Sequence, residues 1–196
     1  MRDATCVVLA AGLGTRMGGE KLSKSFREGT ILDAVLEACA DFPTVVVGSQ
    51  ALIDAVPRLR AARYARDDNE GLSVLVNAEP ERGMAHSLRL ANAVVSADHP
   101  IAVLLGDKPL VSAGLVERMI GELGENDVAY PVRGGTPGHP VVFSPFARAL
   151  IVALRDGDTI YMVRDHDMLA RRPVEIDDEG AYVDIDTQED YRRLRP

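Results

Sequence analysis

The segment Val7-Val8-Leu9-Ala10-Ala11-Gly12-Leu13-Gly14-Thr15-Arg16-Met17-Gly18-Gly19-Glu20-Lys21 constrains this chain more than any other. An apolar run of the kind that forms a buried strand stops abruptly in a turn containing Gly12, Gly14, Gly18 and Gly19. Glycines remove side chains, so backbone N–H groups can approach an anion, and Arg16 and Lys21 add positive charge at the same place. The pattern is that of a strand delivering the chain into a phosphate-binding turn.

Two widespread phosphate loops do not account for it. A P-loop requires Gly-Lys-Ser/Thr, whereas Gly19 is followed by Glu20, Lys21 and Leu22, so the adjacent lysine and the metal-binding hydroxyl are both missing. A dinucleotide fingerprint requires a third glycine where Met17 stands, and it has no use for a cationic pair.

Short apolar, β-branched runs recur along the chain at Cys6 to Ala10, Thr44 to Val47, Leu72 to Val76, Ile101 to Leu105, Val128 to Val132 and Val141 to Phe143. Helical patterns lie between them. Ile31, Val35, Leu36 and Cys39 form one apolar face ahead of Pro43, Ser144-Pro145 reads as an N-cap followed by proline, and Thr187 to Asp190 has capping-box spacing for a last helix reaching Leu194. Near-continuous apolar strands such as Ile101-Ala102-Val103-Leu104-Leu105 suit a sheet covered on both faces. The expectation is therefore a three-layer α/β/α, Rossmann-like fold with a mainly parallel sheet, formed by one domain over residues 1–196. Gly134 to His139 reads as a loop.

In such sheets ligands collect beyond the carboxyl ends of the strands. Asp107, in Leu105-Gly106-Asp107-Lys108-Pro109, follows a buried strand and suits Mg²⁺, which takes one or two carboxylates together with substrate phosphate oxygens. In Tyr182-Val183-Asp184-Ile185-Asp186-Thr187, read as a short strand, Asp184 and Asp186 are two apart and share a face, while Ile185 points to the core.

Acidic residues outnumber Lys and Arg by 30 to 22, a net charge of -8 without a dense basic run, which argues against a nucleic-acid or membrane partner. Cys6 and Cys39 belong to no C-x-x-C pair and read as buried thiols. The apolar run that breaks at Gly12 is too short for a membrane span and lacks signal-peptide organisation, so a cytoplasmic enzyme is expected.

The motif L-A-A-G-x-x-x-R-M-G-x-x-K, from Leu9 to Lys21, resembles the opening signature of the MobA/MocA-like nucleotidyltransferases. Asn77 to Arg89 resembles that family's segment approaching the base and sugar, with Gly83 and Ser87 at its fixed positions. Gly135-Thr136-Pro137-Gly138-His139-Pro140 resembles the loop on its acceptor side. The resemblance implies an Mg²⁺-dependent transfer of a nucleoside monophosphate to a phosphorylated acceptor such as molybdopterin. Arg16, Lys21 and Asp107 would be catalytic. Leu9, Ala10, Ala11, Gly12, Gly14, Gly18, Lys21, Asn77, Gly83 and Ser87 would bind nucleotide, and Gly138 and His139 the acceptor. Asp107 with Asp184 or Asp186 would hold the metal. Ala11 resembles the cytidylyltransferase form of the loop, which favours CTP, and a molybdoenzyme is a conceivable partner. A guanylyltransferase, a sugar- or polyol-phosphate nucleotidyltransferase and a non-catalytic nucleotide-binding module are the alternatives. Ser23-Lys24-Ser25-Phe26 and Gly157-Asp158-Thr159-Ile160 depart from the family pattern on loops expected to face substrate.

Overall fold

The computed structural model describes residues 4–12, 21–64 and 71–195. Its elements begin with β1 (Thr5–Ala10), β2 (Ser25–Phe26), β3 (Gly29–Thr30), α1 (Ile31–Ala38), β4 (Thr44–Gly48), α2 (Gln50–Ala55), α3 (Pro57–Tyr64) and β5 (Leu72–Val76). They continue with α4 (Met84–Val94), β6 (Ile101–Leu105), α5 (Ala113–Glu122), β7 (Val128–Arg133), β8 (Thr136–Pro137) and β9 (Val141–Phe143). The last are α6 (Pro145–Arg148), α7 (Tyr161–Arg164), β10 (Arg171–Glu175) and α8 (Gln188–Leu194).

The main sheet has the order β10-β7-β9-β6-β1-β4-β5. β6, β1, β4 and β5 are parallel neighbours, β9 runs antiparallel between β6 and β7, and β10 lies parallel beside β7. Along β1 the side chains alternate between two cores. Cys6, Val8 and Ala10 pack with residues of α1, α2, α3 and α5, while Val7 and Leu9 pack with those of α4, α6 and α7. Helices on both faces explain why the strand reads as an unbroken apolar run, and the expected three-layer, mainly parallel α/β architecture is the one observed. Cys6 and Cys39 are free and buried, and contact with Cys39 together with burial pushes the Cys6 thiol pKa up, away from reactivity.

The capping signals act as their sequences indicate. Thr30 Oγ1 accepts from the Asp33 amide and Asp33 Oδ2 from the Thr30 amide at the start of α1. Thr187 and Asp190 repeat this box at α8, with aspartate replacing the usual glutamate.

Two segments differ from expectation. Tyr182 to Thr187 forms no strand. It leaves a helical turn at Tyr182 and runs past the turn after β6, where the Ile185 amide donates to the Asp107 carbonyl at 2.9 Å; Ile185 is buried and its neighbours Asp184 and Asp186 are half-buried, with no ladder. Between Gly134 and His139 the chain is not wholly a loop. Gly134 and Gly135, with φ of 55° and 81°, make a two-residue turn that folds β8 back on β7. The sequence reading also passed over the β2–β3 hairpin, which buries Phe26, and β10, where only Val174 is buried. β10 is an edge strand carrying Pro173 and charged residues, so it shows no apolar run. Among the described residues no helix is long and apolar enough to cross a membrane.

Arg148, 4% exposed, ties the end of α4 to α6. Its guanidinium donates to Asn92 Oδ1 at 2.9 Å, to the carbonyls of Asn92, Val95 and Ser96 at 3.2, 3.1 and 2.6 Å, and to the His99 carbonyl. These guanidinium donors satisfy carbonyls that a helix end leaves open. Arg148→Met should lower stability by about 2–4 kcal/mol in urea unfolding, because several buried acceptors lose a charged donor together. A loss below about 0.5 kcal/mol, the scale of ordinary surface changes, would contradict this role.

Candidate functional site

From β1 the chain builds outward through β4 to β5, then returns to the other side of β1 as β6. The carboxyl ends of β1 and β6 therefore lie side by side at the reversal point, with Leu9 paired to Leu105. That is where an open α/β sheet forms a crevice, and a cleft of about 400 Å³ occupies it.

Leu9, Ala10, Ala11, Gly12 and Leu22 form one side of the cleft, Leu105 and Asp107 a second, and Pro80, Gly83, Met84 and Ser87 a third. Lys21 and Asp186 complete it. Gly83 has φ 87° and ψ -174°, a backbone region essentially restricted to glycine, and turns the chain sharply into α4. No side chain caps this helix start. First-turn amides have no acceptor within a helix and its N-terminal end carries partial positive charge, so α4 offers the cleft donors suited to an anion. Asn77 lies behind this wall and is 1% exposed. Its Nδ2 donates to Ser87 Oγ at 2.9 Å and its Oδ1 accepts from the Glu79 amide at 2.8 Å, which fixes Ser87 at the surface of the cleft.

The charged centre is a clasp. Lys21 Nζ lies 3.0 Å from Asp107 Oδ2 and 2.9 Å from Asp186 Oδ1. Burial disfavours the ammonium, but the charge of Asp107, hydrogen bonds to Asp186 and Asp107, and the charge of Asp186 outweigh it and raise the Lys21 pKa. Asp107 Oδ1 is shielded from solvent and has no hydrogen-bond partner among the described residues.

Asp186 reaches this point because its segment docks closely. A Cβ at Gly138 would stand 2.6 Å from the Ala181 carbonyl oxygen, and one at Gly180 would collide with the Leu110 carbonyl. Lys108 Nζ donates to the Tyr182 carbonyl at 2.9 Å, and the Tyr191 hydroxyl of α8 donates to the Ser25 carbonyl at 2.6 Å.

The structure thus brings Leu9, Ala10, Ala11, Gly12, Lys21, Gly83, Ser87, Asp107 and Asp186 onto one cleft, with Asn77 supporting it. Gly14, Arg16 and Gly18 lie outside the described residues. Asp184 is not on the cleft wall; its Oδ2 is 3.7 Å from Lys108 Nζ. Burial raises its pKa, with Lys108 opposing and Asp186 and Asp107 reinforcing the rise. Gly138 and His139 are also off the wall. His139 is 3% exposed and its Nδ1 lies 3.3 Å from the Val103 carbonyl oxygen. Sequence reasoning missed Leu22, Pro80, Met84 and Leu105 as lining residues and gave Lys108 no role. The available signal for Lys108 was a lysine set between a buried strand and a proline.

The donor set fits a hard divalent cation: two carboxylates, one with an unpartnered oxygen, face a cleft whose other groups suit phosphate. Among the described residues no three His, Cys, Asp or Glu side chains gather as a metal site. Mg²⁺ commonly takes only one or two carboxylates and completes its shell with water and substrate phosphate.

Residues 6–172 match the family described as the MobA-like NTP transferase domain. The molybdenum cofactor cytidylyltransferase of Escherichia coli K12 is 27% identical over 195 residues, 97% of this chain and 95% of that protein. The nicotine blue oxidoreductase of Paenarthrobacter nicotinovorans is also 27% identical, over 97% of this chain and 95% of its own length. Among solved structures, Rv0371c of Mycobacterium tuberculosis H37Rv superposes with a TM-score of 0.79 at 29% identity, covering 98% of this chain and 97% of that one. A second structure of Rv0371c, complexed with manganese, gives 0.77 at 28% identity, with 98% of each chain covered.

Burial is the largest influence on His139 and pushes its pKa down to about 4. The Val103 carbonyl and Asp107 oppose the shift, and Lys108 and Arg164 add to it. Because the folded pKa lies below the ordinary 6.5, this residue's contribution to stability is complete above pH 6.5 and is lost as pH falls towards 4. Between pH 7 and pH 5 the wild type should lose about 2 kcal/mol more than His139→Gln in urea unfolding. Equal losses in the two proteins would show that the imidazole is not held neutral.

Proposed function

The chain belongs to the MobA-like NTP transferase family, and from that premise we propose that it transfers CMP from CTP to the phosphate of a small acceptor, first molybdopterin, in an Mg²⁺-dependent reaction that releases pyrophosphate. Nucleotidyl transfer is the family's chemistry. The observation that carries the reading is the Lys21 ammonium held between Asp107 and Asp186, beside the uncapped start of α4. The preference for CTP draws on Ala11 and on the likeness to the E. coli cytidylyltransferase. If molybdopterin is the acceptor, a molybdoenzyme would receive the product.

An acceptor phosphate is already ionised near neutral pH, so its oxygen can attack the α-phosphorus without a protein nucleophile or a general base. The new P–O bond forms as the bond to the β-phosphate oxygen breaks, and the electron pair leaves with pyrophosphate. Catalysis then rests on positioning and on charge stabilisation. Lys21, an ammonium at neutral pH whose pKa is raised further by its carboxylate neighbours, would exchange those partners for triphosphate oxygens when nucleotide enters. Asp107 and Asp186 would hold Mg²⁺, which supplies Lewis acidity and charge neutralisation at the phosphates when bound. The first-turn amides of α4 and the Ser87 hydroxyl, fixed by Asn77, offer donors to nucleotide oxygens. Arg16, with the Gly14 and Gly18 backbone, is assigned to the leaving pyrophosphate. Gly138 and His139 act on the acceptor side through the shape of their turn, since His139 is buried.

The likeness to nicotine blue oxidoreductase supports a second reading, in which the cleft serves a redox reaction. Pyrophosphate release should be measured with CTP, GTP, ATP and UTP in Mg²⁺, with molybdopterin and then a panel of phosphorylated acceptors. Release with CTP and molybdopterin is the expected result. Release only with another pair would keep the chemistry and change the substrates. Bound nucleotide without release would favour a binding module, and oxidation of a reduced nicotinamide would favour the second reading.

In that assay Lys21→Met should lower kcat by about 10²–10³-fold, the scale of one lost electrostatic stabiliser. Asp107→Asn should raise the Mg²⁺ concentration needed for half-maximal rate. Full activity and an unchanged metal requirement in both folded variants would remove the reaction from this cleft.

A further inference from the structure

Behind the clasp lies a second ammonium. Lys108 is 7% exposed, yet it sits three residues beyond the end of β6 and beside residues from the far end of the chain. Its Nζ donates to the Tyr182 carbonyl at 2.9 Å and lies 3.7 Å from Asp184 Oδ2. The residue before it, Asp107, accepts from the Ile185 amide at 2.9 Å, and two residues after it Leu110 packs its carbonyl against Gly180. The turn after β6 and residues 180–185 are thus joined at several points, and Lys108 supplies the charged one.

This arrangement divides the two C-terminal carboxylates. Asp186 meets Lys21 in the cleft, whereas Asp184 meets Lys108 away from the cleft wall. Two carboxylates of similar exposure, 48% and 46%, are therefore drawn in different directions by two lysines.

We propose that Lys108 is a positioning residue: by tying the Tyr182 carbonyl and the Asp184 carboxylate to the turn that carries Asp107, it sets Asp186 opposite Asp107, so that Asp184 is a strut and Asp186 the cation-facing ligand. The proposal rests on the nucleotidyltransferase reading only for the identity of the ligand, a divalent cation bound with nucleotide. Lys108 touches no reacting atom. It acts by holding a segment that otherwise has few backbone partners, and outer contacts of this kind commonly alter metal affinity by about 10–100-fold.

The test uses the full chain with Lys108→Met, Asp184→Asn and Asp186→Asn. Mn²⁺ binding in the presence of CTP is read by electron paramagnetic resonance, and exchange of the Ile185 amide is read by NMR against amides of β1. Lys108→Met should weaken Mn²⁺ binding by about 10–100-fold and speed Ile185 exchange while β1 amides keep their protection. Asp186→Asn should weaken Mn²⁺ binding on the same scale, and Asp184→Asn by no more than about fivefold, the most a partly exposed ion pair usually contributes.

Unchanged Mn²⁺ affinity and unchanged Ile185 exchange in Lys108→Met would overturn the proposal. So would an Asp184→Asn defect equal to that of Asp186→Asn. Should Lys108→Met fail to fold, the comparison of the two aspartate variants decides, since both side chains are about half exposed and their replacement leaves the core intact. A wild type that binds CTP but not Mn²⁺ would overturn the metal reading of the cleft, while Ile185 exchange would still decide whether Lys108 holds the segment.

Discussion

One ammonium joins carboxylates 86 and 165 residues away along the chain, and the organisation of the cleft depends on that contact. Lys21 is largely withdrawn from water and needs anionic partners, while Asp107 and Asp186 would repel each other without a cation between them. Each side therefore resolves the other's electrostatic problem. The partners are partly exposed, so the contact contributes modestly to global stability. In the proposed reaction its larger effect would be preorganisation: the charges that phosphate and a divalent cation require would already be gathered before either arrives.

The clasp can form only because the chain order and the close approaches agree. Placing β6 beside β1 brings Asp107 to the mouth of the cleft that Ala11 and Gly12 line. The C-terminal segment then has to cross the same mouth, and it is held from both ends, by Gly138, Gly180 and Lys108 on one side and by Tyr191 on the β2–β3 hairpin on the other. Neither end uses an extensive ladder. Local contacts replace the strand pairing that usually fixes such a segment.

This explains what could be read from residues alone. β1 and β6 were legible because strands covered on both faces are nearly all apolar, and Asp107 because a carboxylate after such a strand falls at the sheet's ligand-binding edge. Asp184 and Asp186 were legible as a period-two pair, yet the strand inferred from them was absent, since a buried Ile185 between two half-buried carboxylates gives the same alternation without a ladder. Their separate partners were hidden because the lysines they meet are far away in sequence. The burial of Lys108 depends on a carbonyl 74 residues further on, and no local pattern reports it. β10 was illegible for the opposite reason: an edge strand is protected by charge and proline, the features that ordinarily mark a loop. The hairpin after Lys21 was too short to generate a period.

The two ends of the cleft differ in how much they can specify. The charged end is the clasp of Lys21 with Asp107 and Asp186, beside the uncapped start of α4. The remaining walls are largely apolar, with Leu9, Leu22, Leu105, Met84 and Pro80 around the cleft. Apolar contacts discriminate weakly; one methyl, such as that of Ala11, is worth only about 1–3 kcal/mol between competing ligands. Sharp choice among bases and acceptors requires hydrogen-bonding groups that are left unpaired by the wrong ligand. Asn77 spends its described hydrogen bonds on Ser87 and Glu79 and so shapes the wall without reading the base through them. In the proposed reaction chemistry and specificity would therefore reside in different materials: the first in a charged clasp assembled across the whole chain, the second in polar loop atoms around an otherwise permissive apolar cleft.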